Sequence, residues 1–207
     1  MQFSTRLATA LVSMALSVPA MAAITPILDA AAFQAALTGG SYTEAFTDVT
    51  DAPPASYGNG TFAFQADAAG GLYSASGNDL STNEADDALT ITFTTGNVRG
   101  IGGNFFNTDI DGSFDSFFSV GIVMSNGDAF LWEPSSESSF LGFLSDDPIQ
   151  SITFLPVDGY PITGLTGLYA TIDNLTIGNV AQIPEPGSLA LVGLAIAGLV
   201  ARRRRTA

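Results

Sequence analysis

Nine residues gather the oxygen ligands of this chain: Asn107-Thr108-Asp109-Ile110-Asp111-Gly112-Ser113-Phe114-Asp115. A hard divalent cation wants convergent oxygens, and a loop supplies them best from alternate positions with a glycine at the bend. Asn107, Asp109, Asp111 and Asp115 stand at positions one, three, five and nine of such a calcium loop, with Gly112 at position six. The pattern stops at position twelve, where Phe118 replaces the bidentate Glu. The flanks also read as strands, so this is no EF-hand. Two readings remain: calcium held at a β-sandwich loop, or an ordinary solvated turn, since Asp, Asn and Gly are also turn formers.

The rest of the chemistry is bounded by what the chain lacks. It has no histidine and no cysteine, and all six of its basic residues are arginines. A Ser-His-Asp triad, a Cys-His dyad, a His-ligated zinc site and a Schiff-base lysine are therefore excluded. Carboxylates remain, and the adjacent pairs Asp86-Asp87 and Asp146-Asp147 sit in turn-like contexts that read as solvated loops. An acid-catalysed hydrolase would need two carboxyls held across one cleft, which spacing along the chain does not show. The expectation is a protein that is not an enzyme and has no obligatory cofactor. Tyr57, Tyr73, Trp132 and Tyr160 are candidates for a sugar-stacking platform. Asn174-Leu175-Thr176 spells a glycosylation sequon, but it lies inside an expected strand and is discounted.

The elements that must carry these residues are mostly strands. A short helix opens the domain at Asp29 to Leu37, with Asp29 as its cap, Phe33 and Leu37 one turn apart, and Gly39-Gly40 ending it. The period then becomes strand-like. Runs rich in Thr, Phe, Ile, Val and Tyr recur between turn residues at Ser41–Phe46, Gly60–Gln65, Gly71–Ser76, Ala88–Thr94 and Val98–Phe106. They continue at Phe117–Ser125, Asp128–Trp132, Ser139–Leu144, Gln150–Leu155 and Gly167–Ile177. Short strands at this spacing predict an all-β fold, an antiparallel, jelly-roll-like β-sandwich with a short N-terminal helix. Asn126-Gly127 predicts a type I′ hairpin between two of the runs. In Leu89 to Thr94 apolar residues alternate with threonines, so one face is buried. The expected core is Leu89, Ile91, Phe93, Val120, Ile122, Leu141, Ile152, Phe154, Ile172 and Leu175. Asp173-Asn174 is expected to make a bend or Asx turn before the last strand, with a metal-ligand pair as the alternative.

Charge limits the partners. Between Ile24 and Ile183, Arg99 stands alone against nineteen acidic residues, a net of −18. Such a surface repels nucleic acid and anionic lipid. It favours solubility and attracts divalent cations.

Both ends of the chain look like processing segments. Arg6 precedes an apolar run from Leu7 to Val18, then Pro19 and the small-residue pattern Ala20-Met21-Ala22. That is the plan of a secretory signal peptide over residues 1–23, and it implies the Sec export machinery. At the other end, Pro184-Glu185-Pro186 is followed by fifteen uncharged residues from Gly187 to Ala201, then by Arg202, Arg203, Arg204 and Arg205. As a helix the uncharged run spans roughly 22 Å, short of the roughly 30 Å hydrocarbon core. The arginines can snorkel to the headgroups and hold the cytoplasmic side, so the run is expected to be a C-terminal transmembrane helix. The expected organisation is a signal peptide (1–23), an exported sandwich domain (24–180) and a C-terminal segment (181–207).

Those three parts in this order, Pro184-Glu185-Pro186, a Gly/Ala/Leu membrane stretch and an Arg cluster, closely resemble the PEP-CTERM protein-sorting signal of Gram-negative bacteria. The resemblance implies recognition by an exosortase, a membrane-embedded cysteine transpeptidase that cuts close to Pro184-Glu185-Pro186 and releases or transfers the upstream domain. It also implies a setting of exopolysaccharide and biofilm. More loosely, Phe140 to Asp146, Pro148 to Phe154 and Ile172 to Leu175 are similar to the C-terminal half of the β-sandwich often attached to this signal. The domain so attached has no general biochemical activity, so this second resemblance implies fold alone.

The expected course is export across the inner membrane, a transient single-pass form with its domain in the periplasm, then the cell surface or extracellular matrix. The expected role is structural or adhesive. A calcium-assisted carbohydrate-binding module, with extracellular polysaccharide as partner, is the alternative.

Overall fold

The computed structural model describes residues 24–49, 54–74, 77–158 and 166–180. The signal peptide, the Pro184-Glu185-Pro186 motif, the expected membrane helix, the arginine cluster and Tyr160 all lie outside them. The described residues begin with β1 (Ile24–Ile27), α1 (Ala30–Ala36), β2 (Ser41–Glu44), β3 (Ala55–Gly58) and β4 (Ala63–Asp67). β5 (Leu72–Tyr73), β6 (Leu80–Thr82), β7 (Leu89–Phe93), β8 (Gly100–Thr108) and β9 (Phe114–Asp115) follow. β10 (Ser119–Met124), β11 (Ala129–Trp132), β12 (Phe140–Ser145), β13 (Ser151–Val157) and β14 (Tyr169–Gly178) complete the order.

The strands form two antiparallel sheets. One runs β1-β12-β8-β14-β6-β5, with β2 added to β14 and β9 to β8; the other runs β11-β10-β13-β7-β4-β3. Alternation along each strand aims one set of side chains between the sheets. Phe64, Leu89, Ile91, Val120, Ile122, Ile152 and Phe154 come from the second sheet, and Leu80, Ile101, Phe105, Leu141, Phe143, Ile172 and Leu175 from the first; all are buried. The rings of Phe105 and Phe154 meet across the gap at 4.6 Å. The expected sandwich is therefore the observed fold, and each of the ten core residues named from the sequence is buried in it.

The helix also forms as read. Asp29 Oδ1 accepts the Ala32 N–H at 2.6 Å, the bond of an N-cap. Seven residues are too few to be stable alone. α1 holds because Phe33 is pressed onto the outer face of the first sheet, where Gly102 on β8 and Gly142 on β12 leave room for its ring. A Cβ built on Gly142 would lie 2.6 Å from Phe33 Cδ2, and one on Gly102 would lie 2.9 Å from Phe33 Cε1. Phe140 closes the site with its ring 5.4 Å from that of Phe33.

Two local expectations are revised. β10 and β11 pair as the sequence implies, with Val123 opposite Ala129. The turn between them is not type I′, because Gly127 takes a positive φ of 92° and Asn126 does not. Gly127 N–H bonds Met124 O at 2.9 Å and Met124 N–H bonds Asp128 O at 2.8 Å, the pattern of a type I turn closed by a glycine bulge. Asn126 is then spent differently: its Oδ1 accepts the Asp128 N–H. Asp173-Asn174 does not precede the last strand but interrupts it. Asn174 takes φ 51°, and the β14–β8 register shifts between Asp173 and Thr176. The bulge divides β14 into a first half that pairs with β6 and a second half that pairs with β2.

Candidate functional site

The oxygen-rich stretch from Asn107 to Asp115 is the hairpin joining β8 to β9, with Asn107 opposite Asp115 and Thr108 opposite Phe114. Its carboxylates are occupied by the loop's own backbone. Asp109 Oδ1 accepts the N–H groups of Asp111 and Ser113, both at 2.9 Å. Asp115 Oδ1 accepts those of Phe117 (2.9 Å) and Phe118 (3.0 Å). Asn107 is fully buried, and its Nδ2 donates to the carbonyls of Phe118 and Ser119 across to β10. Asp111 is exposed. Among the described residues, no group of three or more His, Cys, Asp or Glu side chains is placed to hold a metal ion. Asn107, Asp109, Asp111 and Asp115 are thus the residues of an ordered turn. Register is the reason: alternation turns Asn107 into the sandwich, while the short hairpin uses one oxygen each of Asp109 and Asp115 as caps.

Of the adjacent acid pairs, Asp146-Asp147 lies exposed in a bend after β12, as expected, whereas Asp86-Asp87 departs from the solvated-loop expectation. Asp86 sits at φ 62° and its Oδ1 accepts from Thr166 N (2.6 Å), Thr166 Oγ1 (2.8 Å) and Gly167 N (3.0 Å). Asp87 Oδ2 accepts the Gly70 N–H at 2.6 Å. One dipeptide therefore ties two distant loops to the start of β7. Nothing in the sequence signals this, because the partners of Asp86 are eighty residues away.

The same hairpin forms the rim of the clearest cleft among the described residues, a cavity of about 170 Å³ on the outer face of the first sheet. Strand order builds it. Tyr73 on β5 is opposite Ser81 on β6, Ser81 is opposite Thr171 on β14, and Tyr169 lies one pleat repeat from Thr171 on the same face. The two tyrosines therefore project from one face, two strands apart, or roughly 10 Å laterally. Beneath them runs a chain of hydroxyls: Ser81 Oγ to Thr171 Oγ1 at 2.9 Å, and Thr171 Oγ1 to Thr108 Oγ1 at 3.0 Å. Thr82 lines the wall, and its buried Oγ1 has no hydrogen-bond partner. Asp109, Ile110 and Asn83 also border the opening.

Of the aromatic residues named from sequence that are described, only Tyr73 opens onto this cleft, at 49% exposure. Tyr57 is stacked on Phe64 at 5.2 Å and edge-on to Phe46 at 5.3 Å, and burial beside Glu44 pushes its hydroxyl pKa up. Trp132 is half-buried and donates its Nε1–H to Phe105 O at 2.9 Å. Tyr169 was missed. Its position follows only once β14 is known to pair with both β8 and β6.

No curated protein and no solved structure matches the chain. Among the described residues no helix is long and apolar enough to cross a membrane. A protein-family model does match, beyond the end of β14 and outside the described residues, and it covers the part of the sequence with the proline-flanked Glu185, the uncharged run and the arginines. The chain thus carries the PEP-CTERM protein-sorting motif over residues 182–205, at its C-terminus, the mark of an exported protein processed by exosortase, a membrane enzyme.

Proposed function

We propose that this is a non-catalytic protein of the cell surface or extracellular matrix, exported by the Sec route and released or transferred from the inner membrane through its C-terminal signal, with a structural or adhesive role among exopolysaccharides. The sorting motif at residues 182–205 carries the reading. The acidic, cysteine-free domain upstream suits a hydrated matrix: net charge keeps it soluble, and no fold-critical disulfide depends on oxidation. The calcium-assisted version of a sugar-binding role draws no support from the β8–β9 hairpin, where no three carboxylates converge among the described residues.

The test is fractionation with intact-mass analysis in the native host, comparing the wild type with the Pro184→Ala/Glu185→Ala/Pro186→Ala variant. The expected result is wild type outside the cell, trimmed at both ends, and variant held in the inner membrane at higher mass. If both forms keep the arginine-terminated tail and stay membrane-bound, the tail is a simple anchor and the matrix role loses its basis.

A further inference from the structure

We propose that the Tyr73–Tyr169 cleft is a subsite for one neutral, hydroxyl-rich sugar ring. The inference deepens the matrix reading by giving it a ligand class and a place, and it rests on the lining chemistry. The walls offer two phenol rings, which present flat apolar faces with a polar tip. Between them lie hydroxyls from Ser81 and Thr108, and the amide of Asn83 and the carboxylate of Asp109 border the mouth. Asp109 uses Oδ1 for the hairpin, which leaves Oδ2 as an acceptor at the rim.

Other ligand classes fit poorly. No cationic residue lines the cleft, and the domain around it carries a net charge of −18, so phosphates and uronates are repelled. No metal cluster is present among the described residues. A purely apolar ligand would take water from the hydroxyl floor and from Asp109 Oδ2 without replacing its hydrogen bonds. A pyranose answers both halves of the lining: its C–H face stacks on a phenol while its hydroxyls meet Ser, Thr, Asn and Asp. A volume of about 170 Å³ suits one ring and not a long chain buried end to end. The remainder of a polysaccharide would run out over the exposed edge at β5, the last strand of its sheet.

Saturation-transfer NMR on the full-length chain, held in a detergent without a sugar headgroup, tests this with glucose, galactose, mannose and N-acetylglucosamine as probes and glucuronate as the anionic comparison. Concentrations up to about 20 mM reach the millimolar affinities expected of one ring. At least one neutral sugar should bind, with glucuronate weaker. Tyr73→Ala should reduce that binding about tenfold with an unchanged melting temperature, since Tyr73 is half-exposed, whereas Tyr73→Phe, which keeps the ring, should retain it. The proposal fails if no neutral sugar binds, if glucuronate binds as well as the neutral sugars, or if Tyr73→Ala and Tyr73→Phe behave alike. Failure here leaves the sorting experiment untouched, because that experiment reads the tail and this one reads the cleft.

Discussion

At the residue scale, the strongest single tie is Asp86. Its carboxylate gathers three donors from Thr166 and Gly167, while its own N–H bonds Leu168 O at 2.8 Å. Charge-assisted hydrogen bonds of this kind are worth about 1.5–3 kcal/mol. Asp86→Ala should lower unfolding stability by about that amount in a denaturant titration. Asp86→Gly, which relaxes the φ of 62° while losing the same carboxylate, should lose less. Asp173 gives a pH signature. Burial, and then the fields of Asp79 and Glu137, hold its carboxyl above the ordinary 3.8, against the two bonds it accepts from Asn174. A raised folded pKa favours the protonated form in the folded state. The contribution is therefore full below 3.8 and is lost as pH rises through the raised value. Stability measured across this window should fall with rising pH more steeply in the wild type than in Asp173→Asn; parallel curves would rule the effect out. Both behaviours were hidden in the sequence, where Asp86-Asp87 reads as a solvated turn and Asp173-Asn174 as a bend, because Thr166 and Gly167, and Asp79 and Glu137, lie in loops distant along the chain.

At the element scale, each of the ten runs expected from periodicity carries a strand, although the one described within Gly71–Ser76 is only Leu72–Tyr73. β1, β3, β6 and β9 were not expected. They have two to four residues each, and β6 is buried at all three of its positions, so no alternation exists to be read. The docking of α1 was legible in its apolar pair but not in its receptor. Gly102 and Gly142 look like flexible strand residues until the sheet sets them side by side beneath Phe33. Gly142→Ala places a methyl against a ring that is 1% exposed and already wedged by Phe140. It should cost about 1–3 kcal/mol in chemical denaturation. Adding Phe33→Leu should recover part of that loss; no recovery would mean that the clash lies elsewhere.

At the scale of the whole molecule, charge and sorting act together. A domain with one arginine against nineteen acids repels itself when folded, and salt screens that repulsion over about 10 Å at 0.1 M. The melting temperature of the protein should therefore rise with added sodium chloride. Calcium at matched ionic strength should add no more than magnesium does, as the hairpin from Asn107 to Asp115 offers no converging set of carboxylates. A calcium-specific rise in calorimetry would restore the cation loop that the sequence suggests.

What the chain determines by itself is whatever is contiguous. The sorting motif is read by a membrane enzyme as a linear run of Pro184-Glu185-Pro186, an apolar stretch and arginines, so its residue order suffices to identify it. The sandwich is nearly as legible, since strand alternation is a local property of each segment. The tertiary structure alone decides which polar side chains meet. Tyr73 and Tyr169 are almost a hundred residues apart and share a cleft only because β6 lies between β5 and β14. Asn107, two residues from Asp109, is turned into the core by the pleat of β8, while Asp109 lies past the end of that strand, in the turn at the rim. In a β-sandwich the neighbours of a residue are set by strand order and register across the sheet, and these long-range pairings leave no local trace in the sequence.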